Sequence, residues 1–229
     1  MNELLDSIYQ ATIYDNRWLW YLEGVWSTIL VSLGAIFIGC VIGIIVALIK
    51  YINKKFGVFK PGAVVVDIYL AIFRGTPVYV QLLIMYLIVL IFMPPMWVAI
   101  ITFGINSGAY VAEIIRSGLE SVDDGQIEAG SSLGFTKTQI MLKIILPQGF
   151  RNCLPSLFNE FIALVKETSI MGVVGVVDLT KAAERVVTNT LDVFVPYILI
   201  ALIYLVIVLL LTYALKLFER RLAKSDRRQ

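Results

Sequence analysis

A chain of 229 residues that is 59% apolar, with a mean hydropathy of +0.85 and only 16% charged residues, is too apolar for an ordinary water-soluble domain. Nineteen Lys and Arg against 17 Asp and Glu leave a net charge of +2, and the absence of histidine excludes His-based catalysis and His metal ligation. The cations sit in loops flanking apolar runs, which sets them apart from a nucleic-acid surface.

The first 23 residues do not read as a signal peptide. Glu3 and Asp6 stand where a positive leader segment is required, and no small-residue cleavage site follows an apolar core. Trp18, Trp20 and Trp26 read instead as interfacial anchors at the outer edge of a first span. Charge-free runs at Gly24–Ile49 and Val193–Leu215 are each long enough for one transmembrane helix of about 20 residues. Gly75–Ala112 has room for two, divided at Met93-Pro94-Pro95-Met96 because proline cannot continue a helix. A fourth apolar region, Asn152–Val177, is interrupted by Glu160, Lys166 and Glu167. The expectation is an all-α integral membrane protein with five spans, near 25–49, 77–93, 96–115, 153–177 and 196–217, joined into one domain without internal repeats.

Charge sets the orientation. With the amino terminus outside, the inner segments and tail collect fifteen of the nineteen Lys and Arg, and the outer segments only Arg17, Lys181 and Arg185. This predicts the amino terminus out, the carboxy terminus in, and a cytoplasmic loop over about 120–147. Gly34, Gly39 and Gly43 in the first span, with Ser32 nearby, predict close helix packing. Pro61–Phe73 is short for a span; it reads either as an interfacial helix, with Arg74 snorkelling to the headgroups, or as the lower part of a kinked second span. Cys40 lies mid-span and Cys153 at an inner edge, so no disulfide joins them.

The inner loop is the chain's only sizeable polar segment. Asp123-Asp124-Gly125 signals a helix start before Ile127–Leu133, Gly134 a stop, and Thr136 a restart running to Leu146, with Pro147 ending or kinking it. A short helix with small residues at Ala129, Gly130, Ser131 and Ser132 suits insertion into a partner's groove; otherwise the segment is an ordinary loop whose glycines cap helices.

Span four carries the ionisable groups. Residues seven apart share a helical line, so Asn159 with Lys166 and Glu160 with Glu167 predict one polar wedge facing the bundle interior. Such groups line a pathway or pair with one another. In the first case Lys166 engages a substrate carboxylate and Glu160 an amine; in the second they are structural. Span three adds Asn106 and one face of Ser107, Tyr110 and Glu113, although Glu113 has Arg116 as an alternative partner. No GxxxxGK[ST] segment occurs, so the chain cannot cradle a nucleotide's phosphates. With no histidine and no paired intramembrane aspartates, an intramembrane enzyme is poorly equipped for acid–base work.

Glu128-Ala129-Gly130, Gly134 four residues on, and Ile144, Leu146 and Pro147 beyond resemble the EAA loop of permease subunits in ATP-binding cassette (ABC) importers, with Gly130 in place of the second alanine. Leu22–Thr28, Phe73–Pro77, Ala109–Arg116, Gly125-Gln126 and Lys166-Glu167-Thr168-Ser169 are similar to the polar amino-acid branch of that family, the histidine/glutamine/arginine uptake type. Glu167 stands where that branch usually has Asp. The resemblance implies a type I ABC importer permease fold in a bacterial plasma (inner) membrane, moving polar L-amino acids inward. It implies coupling to an ATPase through Gly125, Glu128, Ala129, Gly130 and Gly134, and substrate contacts at Tyr110, Glu160 and Lys166, with Ser107, Glu113 and Thr168 beside them. No cofactor is expected on this chain; ATP and Mg belong to two partner ATP-binding subunits. A second permease subunit, identical or related, and an extracytoplasmic amino-acid-binding protein complete the expected partners. The alternative is an ion-coupled secondary amino-acid carrier, which usually shows internal symmetry at the midplane. Neither the particular amino acid nor the choice between homodimer and heterodimer is written in the sequence.

Overall fold

The computed structural model describes residues 2–57 and 60–226, and among these it is helical throughout, without strands. In chain order the helices are α1 (Asn2–Thr12), α2 (Trp18–Phe56), α3 (Lys60–Gly75), α4 (Val78–Ile84), α5 (Pro95–Glu120), α6 (Asp124–Ser132), α7 (Lys137–Ile140), α8 (Leu146–Glu167), α9 (Leu179–Thr190) and α10 (Phe194–Asp226). A π turn, Met85–Val89, extends α4; another, Met141–Ile145, joins α7 to α8; a 3-10 segment, Thr168–Val174, follows α8. Three helical stretches have the length and hydropathy to cross a membrane: Tyr14–Lys54, Pro95–Glu120 and Phe194–Arg221. Lys60–Gly75 and Val78–Val89 qualify only as a broken pair. The break falls at Gly75-Thr76-Pro77, where proline disfavours helical geometry for the residue before it. Pro147 does not end its helix. The π turn lies immediately ahead of it, and α8 runs on to Glu167 with Pro155 inside.

The chain forms two compact units. The first comprises Met1–Ala35, Tyr79–Phe103 and Phe161–Gln229, the second Ile36–Val78 and Gly104–Glu160.

In the first unit α9 supplies the clearest amphipathic pattern. Leu179, Ala182, Ala183 and Val186, spaced i, i+3, i+4, i+7, are all buried against Ala11, Tyr21, Val195 and Ile200. Asp178 caps this helix by accepting from the Lys181 backbone N–H at 2.8 Å. Gly24 of α2 lies against it: a Cβ there would stand 2.8 Å from the Asp178 carbonyl oxygen. Leu191 ends α9 in the left-handed region (φ 57°), and Asp192 starts α10 by accepting from the Phe194 N–H at 2.9 Å.

The second unit is built on α5. Gly43 of α2 faces it so closely that a Cβ would meet Val111 Cγ1 at 2.4 Å and the Ala112 backbone nitrogen at 2.9 Å. Gly118 of α5 and Gly149 of α8 meet backbone to backbone; a Cβ on Gly118 would sit 2.6 Å from the Gly149 carbonyl oxygen. Between lipid-facing helices no hydrophobic force favours association, so contact of this kind must supply the cohesion. Ala47, Tyr51, Val111, Ile115, Leu119, Ile140 and Ile145 fill the core alongside, and Val46, Val66, Leu70, Ala109 and Ala112 seat α3. Cys153 is buried here and both cysteines are free thiols.

Gly118→Ala tests this seam. In an exposed helix the change stabilises by about 0.5–1 kcal/mol. Here the methyl group meets a backbone oxygen, and the expected result is a loss of about 1–3 kcal/mol, read as a lower melting temperature in detergent. A second test concerns Asp178, where complete burial pushes the carboxyl up to about 6 against the stabilising hydrogen bond from Lys181. Its folded pKa lies above its unfolded one, so its contribution to stability is full below about 4 and is lost as pH rises through 6. Hydrogen exchange in α9 should slow, relative to Asp178→Asn, as pH is lowered across that window.

Candidate functional site

The second unit holds a cavity of about 370 Å³ lined by Arg74, Tyr110, Glu113, Ser156, Glu160 and their neighbours, within the usual size range of small-molecule sites. Its walls are set by hydrogen bonds from α3 to α5. The Tyr69 hydroxyl donates to the Ile105 carbonyl at 2.6 Å, approaching over Gly108, where a Cβ would stand 2.8 Å from it. Asn106 Nδ2 donates to the Phe73 carbonyl at 3.0 Å, satisfying an orphan acceptor in the last turn of α3. Together these bonds fix the residue that follows, Arg74. Its guanidinium stands 5.7 Å from the centre of the Tyr110 ring and 3.9 Å from the Glu113 carboxylate.

On the other wall the buried Ser107 hydroxyl donates to Glu160 Oε1 at 2.8 Å. Ser107 reaches this position because Gly39 of α2 leaves it room: a Cβ there would lie 3.1 Å from Ser107 Oγ. The cavity therefore presents one guanidinium, two carboxylates, a phenol ring and small hydroxyls. That set complements a solute carrying both a carboxylate and a positive group.

Glu113 is shared. Besides Arg74 it pairs with Arg116, which also reaches Glu120 at 2.7 Å, and Lys54 closes on Glu120 at 2.9 Å. Lys50 and Asp67 form a separate pair at 2.9 Å. These side chains are partly exposed, so each pair contributes little to stability. Of these paired residues Arg74 and Glu113 line the cavity itself.

The expected site residues are distributed unevenly. Ser107, Tyr110, Glu113 and Glu160 meet in the second unit, and three of them line the cavity while Ser107 holds Glu160. Lys166 and Glu167, of the first unit, are exposed, as is Asn159 of the second; of the wedge expected in span four, Glu160 is the member that lines the cavity. Thr168 is fully buried and its hydroxyl donates to the Val165 carbonyl at 2.9 Å, a structural role. Arg74 entered the sequence reading only as a headgroup anchor. Its place beside Tyr110 depends on a fold-back between positions 36 residues apart, which no local pattern reports.

The polar segment over 120–147 folds into a knob of short helices, with the start, stop and restart expected at Asp123, Gly134 and Thr136. Asp123 caps α6 by accepting from the Gly125 N–H at 2.7 Å, and the helix ends in a Schellman motif. There Phe135 N–H bonds to Gly130 O and Gly134 N–H to Ser131 O, each at 3.0 Å, with Gly134 at φ 80°. Thr136 and Gln139 form a reciprocal capping box on α7. Glu128, Ala129, Ser131 and Ser132 are exposed, and Leu133 is 77% exposed. Gly130 is not on that surface. It is buried, and a Cβ would stand 2.7 Å from Ile144 Cδ1 and 3.3 Å from Ile140 Cγ1. The glycine standing where the pattern has its second alanine therefore lies on the face of α6 that packs on the π turn, and Leu133 is an exposed apolar residue that the pattern reading passed over.

Comparison with known proteins agrees with this architecture. Residues 39–224 match the family described as the binding-protein-dependent transport system inner membrane component. A protein named as the glutamine transport system permease GlnP in Rickettsia bellii is 39% identical over 221 residues, 93% of this chain and 97% of its own. The arginine transport system permease ArtQ of Bacillus subtilis is 36% identical, across 90% of this chain and 93% of its own. Among solved structures, that of an amino acid ABC transporter with histidines superposes with a TM-score of 0.82 at 41% identity, covering 88% of this chain and 94% of that one. The methionine transporter MetNI, at 22% identity and a TM-score of 0.76, shares the fold. The all-helical, cavity-bearing chain belongs to the inner membrane components of binding-protein-dependent ABC transport systems, permeases whose ATP hydrolysis resides on a separate subunit.

Proposed function

We propose that this permease moves polar L-amino acids inward across a bacterial plasma membrane, on a five-span path with its amino terminus outside. The observation that carries the substrate class is the cavity of Arg74, Tyr110, Glu113 and Glu160, with Glu160 held by Ser107. An amino-acid zwitterion requires both signs of charge within one small shielded volume, and these groups supply them. The names of the relatives, which concern glutamine and arginine, support the same class. Membership of a binding-protein-dependent family argues against the ion-coupled carrier.

In this reading Glu160 accepts from the substrate's positive group, Ser107 keeps that carboxylate aimed, and Tyr110 and Glu113 complete the wall. Lys166, exposed on α8, meets the substrate carboxylate as it passes. Exposed charge on a helix at membrane depth is costly against lipid. Lys166 and Glu167 therefore also favour a second permease subunit beside this one, identical or related. Two ATP-binding subunits, each holding ATP and Mg, drive the cycle, and an extracytoplasmic binding protein delivers the amino acid.

The knob transmits the stroke. Leu133 and the exposed small residues of α6 seat in a groove on the ATPase, while Gly130 and Gly134 give the knob its shape, Gly125 its capped start, and Glu128 and Ala129 its exposed face. Rigid-body motion of the ATPase then passes through the π turn into α8.

Two experiments test these assignments. Glu160→Gln and Lys166→Met should each abolish or strongly reduce uptake of labelled amino acids by the assembled, reconstituted transporter while its subunits still copurify. Normal uptake in both would remove the site. Leu133→Asp alters only an exposed side chain, so the permease should fold and insert normally yet lose copurification with its ATPase and its uptake. Retention of both would refute the docking role.

A further inference from the structure

Helix α1 is eleven residues long, far short of a span, and it divides lengthwise into three faces. Ser7 and Ala11, four apart, form the seam that turns toward the unit: Ala11 is buried among Leu179, Ala182 and Val186, and α1 packs against α9 and α10. Glu3, Asp6 and Gln10 lie three and four residues apart on an exposed polar face. The third face, Leu4, Leu5, Ile8 and Tyr9, is apolar and entirely exposed, and Ile13 and Tyr14 prolong it through the turn.

That turn is built to hold its direction. Asp15 and Asn16 both adopt left-handed geometry (φ 53°) in the turn between α1 and α2. The Arg17 side chain, only 6% exposed, donates to the Gln10 carbonyl at 2.6 Å and stacks 5.1 Å from the Tyr14 ring centre. A buried guanidinium satisfying an orphan carbonyl near the end of α1 fixes the helix where it lies. The apolar face is thus a feature of an anchored element. It is continuous in sequence with the exposed residues of the first turns of α2, Trp18, Leu19, Leu22 and Trp26, which belong to the stretch long and apolar enough to cross a membrane.

We propose that α1 is an interfacial anchor: Leu4, Leu5, Ile8 and Tyr9 insert into the lipid leaflet that surrounds the amino-terminal end of α2, with Glu3, Asp6 and Gln10 turned to water. The occupant of this face is lipid. The charged side chains of α1, Glu3 and Asp6, are acidic and lie on the opposite side, so attachment rests on apolar insertion and requires no anionic headgroup. Trp18, at the start of α2, is the residue type that settles at the headgroup boundary. Through Ala11 and Arg17 the anchor fixes the depth of the surface on which α9 and the start of α10 pack. The assignment holds for either orientation of the chain and does not depend on the amino-acid cavity.

The test uses the permease assembled with its ATPase in vesicles of phosphatidylethanolamine and phosphatidylglycerol. Cys40 and Cys153 are replaced by Ala, and an environment-sensitive fluorophore is placed by single cysteines at positions 3, 5, 6, 8, 9 and 10. Fluorophores at 5, 8 and 9 should shift to the blue, be quenched by lipid-borne spin labels and resist aqueous iodide; those at 3, 6 and 10 should show the reverse. A Leu5→Asp, Ile8→Asp variant should lose lipid quenching at position 9 while the complex still assembles. Equal iodide quenching on both faces would overturn the proposal. So would shielding that appears only on adding the binding protein, or shielding without lipid quenching, since each places a protein rather than lipid on this face.

Discussion

Backbone contact across glycine is the constraint on which the second unit depends. Gly43 lies against Val111 and the Ala112 backbone and Gly118 against the Gly149 carbonyl, so α2 and α8 close on α5 at distances that leave no room for a Cβ, while Gly108 lies beneath the Tyr69 hydroxyl of α3. Each approach has a functional consequence. The Gly108 approach admits the Tyr69 bond that places Arg74; the room beside Gly39 lets Ser107 turn to Glu160; the Gly118–Gly149 crossing sets α8 along the same cavity. Lipid offers no hydrophobic force to replace this packing. Geometry at the site is accordingly inherited from residues that never touch a solute.

Much of the architecture was legible in the sequence because membrane solubility leaves strong traces. Apolar runs, proline breaks and the helix-start and helix-stop residues of the inner loop are local signals, and Asp123, Gly134 and Thr136 act in the structure as their chemistry dictates. The glycines of the first span were legible as packing positions, but their partners on α5 were not. Cavity assembly escaped for the same reason. Ser107 with Glu160 and Arg74 with Tyr110 meet across 53 and 36 residues, and helical periodicity reports only which residues share a face. Periodicity placed Glu160 and Lys166 in one wedge of span four, yet within this chain Glu160 lines the cavity while Lys166 is exposed, because spacing carries no record of which neighbour a face will meet.

Gly130 illustrates how a motif and its physical cause can diverge. The family pattern places it among coupling residues, and a glycine there reads as a weakened helix on a docking surface. The contacts with Ile140 and Ile144 assign it the opposite face, inside the knob. In the proposed coupling the docking surface is then the remainder of α6 with Leu133, and the motif joins that surface to the packing of α6 onto the π turn leading into α8. A knob loosely seated on the turn would move without carrying α8 along, so internal packing and external docking are parts of one transmission path.

The cavity's charges are partnered before any solute arrives. Glu160 accepts from Ser107, and Glu113 is shared by Arg74 and Arg116. An isolated ion at membrane depth is strongly disfavoured, and pairing removes most of that penalty. It also limits how tightly a zwitterion can be held. In the proposed function a substrate carboxylate approaching Arg74 would compete with Glu113, and a substrate amine approaching Glu160 with the Ser107 hydroxyl, so each new contact would replace an existing one and the net gain would be small. For a permease this is useful, since a solute held too firmly along the path would not leave. High selectivity then has to come from another chain that binds the solute outside the membrane, as expected for a family whose transport depends on a binding protein.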